Sequence, residues 1–144
     1  MTETIFQFIT YAPGPFWLLI LFLPGNRKAM LAVDLFLILL AGIFFANTVP
    51  LLKELWPMLV QPDFASIREF TGSEKGALGS WNHMILGDLW IGRWVAQDTL
   101  KSRHHLIQRL IFIPPILFFG PFGVFLYLIF RIISRRDPEL TRPL

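Results

Sequence analysis

The chain has no cysteine. Disulfides, thiolate metal ligands and cysteine nucleophiles are therefore excluded, while nothing follows about compartment. Charge is also scarce, at 16% of residues against about 25% in a soluble domain. No phosphate-binding glycine loop, zinc-ligand spacing or nucleophile motif occurs in the 144 residues. The adjacent His104 and His105 cannot share a helix face, so no metal site is expected, and no cofactor either. The opening Met1-Thr2-Glu3 lacks the basic n-region of a cleavable leader, so none is expected.

What the chain does have is apolar surface. Hydrophobic residues make up 54% and aromatics 15%, with 15 Phe and 5 Trp. The apolar residues fall in runs of roughly 20, the length that crosses a bilayer. This pattern predicts a single integral membrane domain over 1–144. The net charge of +3 comes from Lys and Arg in the short connections and the tail, not from a soluble basic patch. Membrane lipid is the expected environment, and no nucleic-acid partner is expected.

Four transmembrane helices are predicted, at about 5–23, 30–49, 81–100 and 106–133. Pro13-Gly14-Pro15 lies inside the first span, so that helix is either kinked or starts at Pro15. Asp34, near the start of the second span, is expected at the interface in a structural role, and Pro50 is expected to close that helix. The 51–79 connection reads as short interfacial helices, with Asp63 as one N-cap. Ser80 is the expected N-cap of the third span. The fourth span carries Pro114-Pro115 and Gly120-Pro121-Phe122-Gly123, so a kinked or partly unwound helix is expected there. Residues 134–144 form a short basic polar tail.

Four crossings put both termini on one side. That side then holds Lys53, Arg68, Lys75, Arg131, Arg135, Arg136 and Arg142, and the other holds Arg27, Lys28, Lys101, Arg103 and Arg109. Seven against five leans weakly to cytoplasmic termini and does not decide orientation.

The third span is the polar one. It carries His83, Asp88, Arg93 and Asp98, and a charge at the centre of a membrane helix costs about 2.5–3.5 kcal/mol even on insertion scales. At about 100° per residue, His83, Gly87, Trp90, Trp94 and Asp98 share one face. Asp88 and Arg93 lie roughly 140° apart on that count, so they do not pair with each other. Asn47, Tyr11, Tyr127 and Gln97 are candidate partners. A network that fixes helix register and a ligand or reaction site are both compatible with these residues.

The sequence also resembles a known family. Trp81-x-His83, Asp88-Leu89, Arg93, Asp98, Arg103-His104 and Gly120-Pro121-x-Gly123 are similar to the abscisic-acid-deficient-four-like family, whose plant members are associated with neoxanthin synthesis. The Pro-Phe-Trp-Leu-Leu-Ile-Leu-Phe-Leu-Pro run at 15–24 is similar to that family's opening helix. The resemblance implies a compact bacterial or cyanobacterial-type member, multi-pass in a bacterial inner membrane or thylakoid. It implies action on a carotenoid, in plant relatives by opening a 5,6-epoxide with loss of a chain proton to give an allene and a hydroxyl. That isomerisation needs no redox cofactor. Under this reading Asp88 is the acid or base, His83 its counterpart, and Arg93 stabilises the developing alkoxide. Trp81, Trp90, Trp94, Asp98, Gly120 and Pro121 would then bind the polyene. The alternative is a non-catalytic pigment-binding or structural subunit, with a second copy or a membrane complex as partner.

Overall fold

The computed structural model describes residues 2–101 and 104–135, and every regular element among them is helical. Arg103 and the tail from 136 onward lie outside the described residues. Helices α1 (Thr2–Tyr11) and α2 (Gly14–Phe22) follow one line. Pro13 keeps helical angles (φ −64°, ψ −22°), and the Trp17 amide donates to its carbonyl at 3.0 Å. Pro15 sits in the first turn of α2, where its missing N–H would have had no partner anyway.

A tight turn at Pro24-Gly25-Asn26 leads into α3 (Arg27–Thr48). Asn26 caps it, its Oδ1 accepting from the amides of Lys28 (3.0 Å) and Ala29 (3.1 Å). Pro50 does not end the helical path as expected. It lies inside a tightened turn, Val49–Leu51, and α4 (Leu52–Val60) continues directly. The stretches Thr2–Phe22 and Arg27–Val60 are both long and apolar enough to cross a membrane.

Helix α5 (Phe64–Gly72) starts at the predicted cap: the Ser66 amide donates to Asp63 Oδ1 at 3.0 Å. Hydrogen bonds from Ser66 hold the Asp63 carboxyl below the usual range. The next helix, α6 (Glu74–Asp98), starts earlier than 81, and its cap is Ser73 instead of Ser80. The Ser73 hydroxyl donates to the Phe70 carbonyl (2.6 Å) and accepts from the Gly76 amide (3.1 Å). A Cβ at Gly76 would run into that same Phe70 carbonyl, so only glycine lets the chain reverse this sharply.

Contacts along α6 give the register. Trp81 Nε1 donates to Thr10 Oγ1 at 3.0 Å, Gly92 lies on the Trp17 ring, and Leu100 meets Gly25. The partners advance together, so α1–α2 runs parallel to α6. Against α3 the order is reversed: Asn82 Nδ2 donates to the Leu40 carbonyl (3.2 Å), while Arg93 meets Asp34. A Cβ at Gly92 would overlap the Trp17 ring. Gly92→Ala is accordingly expected to cost about 1–3 kcal/mol by overpacking, read as a lower melting temperature in detergent. Trp17→Leu in the same chain should return part of that loss.

The segment expected to form one helix over 106–133 is instead two helices folded back on each other. Helix α7 (His105–Phe119) ends at Gly120 (φ +24°), and α8 (Pro121–Arg135) returns. The Phe112 ring lies 5.3 Å from Tyr127 and 5.0 Å from Phe130 between centroids. Gly123 packs on the backbone of Ile116. In one continuous helix, Phe112 and Tyr127 would be about 22 Å apart. The cause is local: Pro121 has no N–H with which to continue α7, and glycine alone tolerates the left-handed turn. The start of α1 and the end of α8 therefore lie at opposite ends of the bundle, where one continuous helix over 106–133 would have ended beside the start of α1.

Candidate functional site

The hairpin stops part-way along α6. Its tip, Gly120, packs against the Asp88 carboxylate near the middle of that helix. Beyond the tip lies a cavity of about 710 Å³, bounded by α3, α4, α5 and the stretch of α6 from Lys75 to Ile91. Phe44, Leu51, Leu55, Leu59, Phe70 and Ile91 make its wall apolar, and Pro121 belongs to it as well. Asp88, His83 and Lys75 are its titratable groups. The Asp88 carboxylate has no hydrogen-bond partner among the described residues. His83 stands edge-on to Phe44, with ring centroids 5.8 Å apart. Asn47, a candidate partner for the α6 charges, lines the same cavity, but its amide donates back to the Ile43 carbonyl at 2.7 Å.

A second cavity of about 490 Å³ runs between α3 and α6 and is lined by Leu37, Ile38, Ala41, Leu86 and Trp90. Phe44, His83 and Gly87 border both spaces. Together they make an elongated apolar groove with His83 at the junction and Asp88 at the hairpin tip.

The other predicted site residues lie elsewhere. Arg93 faces Asp34 on α3: Nη2 donates to Oδ2 at 2.8 Å, and Nε is 2.6 Å from Oδ1. Both border a separate space of about 490 Å³ with Arg27 and Gln97. Asp34 was not among the expected partners of Arg93. Asp98 is 7% exposed and pairs with Arg131 of α8, whose Nε is 3.2 Å from Oδ2. The Tyr127 hydroxyl donates to that same oxygen. Trp94 completes this cluster, with the Arg131 guanidinium 5.7 Å above its ring and the Tyr127 ring edge-on to it. Trp81 is held by Thr10 and its ring lies tilted against that of Phe6, with centroids 5.7 Å apart.

The structure thus brings Asp88, His83, Trp90, Gly120 and Pro121 to the groove and its tip. Arg93, Asp98, Trp81 and Trp94 are engaged in helix-to-helix contacts outside it. Lys75 was missed as a cavity residue, because α6 was expected to begin after it. Arg131 was missed because it was counted among the basic residues at the terminus side, although it is preceded by the apolar run Tyr-Leu-Ile-Phe.

Chemically, the groove offers a long apolar path, one unpartnered carboxyl and one imidazole. Such a set can hold an extended hydrocarbon and exchange a proton with it. Among the described residues no group of side chains fits a metal ion.

No curated protein and no solved structure matches the chain. A sequence model described as ABA DEFICIENT 4-like matches residues 4–127, which takes in every helix up to the middle of α8 and both walls of the groove. The chain belongs to the ABA DEFICIENT 4-like family.

Proposed function

We propose that the protein is a multi-pass membrane protein that binds a carotenoid or similar long apolar ligand in the groove between α3 and α6, and isomerises it there. Three crossings, α1–α2, α3 and α6, carry the fold. The α7–α8 hairpin enters from one end and returns. Each of its helices has 15 residues, or about 22 Å, short of the roughly 30 Å hydrocarbon core. A bacterial inner membrane or a thylakoid would suit such a bundle.

The observation that carries the reading is the unpartnered Asp88 carboxyl, lining an apolar cavity together with His83. An apolar cavity favours a hydrocarbon ligand. A free carboxyl in it costs stability unless something hydrogen-bonds it, and an oxygen on the ligand would do so. Asp88 and His83 are then the acid–base pair.

A second reading, a pigment-binding subunit without chemistry, is favoured by one observation. Arg93, the group assigned to alkoxide stabilisation, is already paired with Asp34 outside the groove. Asp88→Asn separates the two readings. Protein purified in mild detergent is expected to carry a polyene, visible as a three-banded absorption spectrum and recovered by extraction. If Asp88 acts as acid or base, the variant keeps the pigment and loses at least about 100-fold in product formation. Full product formation by the variant removes Asp88 from the chemistry. Unaltered pigment in both proteins, with no product from either, favours the holder.

A further inference from the structure

The folded-back hairpin changes where the charges sit. Because α8 returns to the end where α6 finishes, Arg131 and Arg135 join Arg27, Lys28, Lys101 and Arg109 at that end. The opposite end, where α1 and α6 begin and α4–α5 lie, has only Lys53, Arg68 and Lys75. Arg131 and Arg109 are buried there, so among the described residues the count left for the surface is four against three. Carboxylates are distributed the other way: Glu3, Glu54, Asp63, Glu69 and Glu74 lie at the α4–α5 end. At the basic end, Asp34 and Asp98 are each paired with an arginine.

Lys and Arg in short connections are retained on the cytoplasmic side of a membrane, and they are attracted to the anionic lipids of that leaflet. We infer that the basic end, formed by the α2–α3 turn, the α6–α7 turn and the foot of the hairpin, is the surface that packs on the anionic cytoplasmic leaflet. The groove beyond the hairpin tip then opens toward the opposite leaflet, under α4 and α5. A ligand in that groove is taken from, and returned to, the non-cytoplasmic leaflet. The inference rests on the reading of the bundle as membrane-spanning, and it does not depend on which ligand the groove holds.

Two features of α4–α5 fit an outer-leaflet position. Trp56, Leu59, Val60 and Phe64 are all exposed there, flanked by Lys53 and Glu54 on one side and Arg68 and Glu69 on the other, as in helices lying at a membrane surface. Neither α4 nor α5 buries a residue fully, so this layer covers the groove without being locked into the core.

The absence of cysteine makes the test direct. Single variants Gln61→Cys, between α4 and α5, and His105→Cys, at the start of α7, each place one thiol at an exposed position at one end. In intact cells with the protein in the inner membrane, a membrane-impermeant maleimide is expected to label Gln61→Cys. His105→Cys is expected to label only after permeabilisation. The reverse pattern overturns the orientation and leaves the membrane-spanning reading standing. Labelling of both variants, or of neither, in intact cells overturns the orientation and the crossing together, and with them the proposed function.

Discussion

Arg131→Met is expected to give the largest loss of stability of any single change at the α6–α8 contact. Arg131 is 1% exposed, and its Nε sits 3.2 Å from the Asp98 carboxylate. Removing the guanidinium takes from the buried Asp98 carboxylate the cation that meets it across the α6–α8 contact. Breaking one partner of a buried pair costs about 3–5 kcal/mol, on the order of 10 °C in melting temperature for a chain of this size. Tryptophan fluorescence during heating in a single detergent reads the effect directly, since Trp94 lies in the cluster. The decisive companion is the double variant Arg131→Met with Asp98→Leu. Replacing a whole buried pair with apolar side chains is frequently neutral, so most of the lost stability should return, less the bond that the Tyr127 hydroxyl gives to Asp98. A double variant as unstable as the single one would show that the cluster holds the fold through something other than charge.

Gly120→Ala should be nearly as damaging, for two separable reasons. The backbone there has φ +24°, and a left-handed conformation costs an L-residue roughly 1–2 kcal/mol. The new Cβ would also collide with the Asp88 carboxylate, adding about 1–3 kcal/mol of overpacking. The combined loss should again appear as a lower melting temperature, with weaker retention of any bound ligand, because the tip forms part of the cavity. Placing Gly120→Ala in an Asp88→Ala background relieves the collision but not the backbone strain. About half the destabilisation is therefore expected to remain. If the double variant loses nothing further on adding Ala at 120, the hairpin turn is not as the geometry describes it.

Much of the helical layout was legible from residue order. Asp63 was recognised as a cap because its carboxylate can reach an amide three residues on, and it does. The polar crowding of α6 was legible because ionisable groups stand out in an apolar run. That Asp88 and Arg93 would not pair followed from helix geometry alone. The hairpin was not legible in the same way. A largely apolar run of 28 residues with Gly-Pro at its centre is compatible with a kinked crossing and with a reversal, since Gly-Pro breaks a helix in both. The ring contacts of Phe112 with Tyr127 and Phe130, and the packing of Gly123 on Ile116, distinguish them. The start of α6 was missed because Ser73 and Ser80 are equivalent as caps in isolation. What selects Ser73 is the close packing of Gly76 on Phe70, a contact between neighbouring helices. Asp34 and Arg131 escaped as partners for a related reason: each pairs across the bundle with a residue far away in sequence.

The two charge pairs, taken together, have a mechanical consequence. Both tie α6 to a neighbour, Asp34 on α3 and Arg131 on α8, and both lie in the second half of α6. The first half is joined to its neighbours by uncharged hydrogen bonds from Trp81 and Asn82, and its covering helices α4 and α5 have no fully buried residue. The bundle is therefore riveted at one end and only laced at the other. Splaying the loose end would widen the groove and leave both of these charge pairs intact.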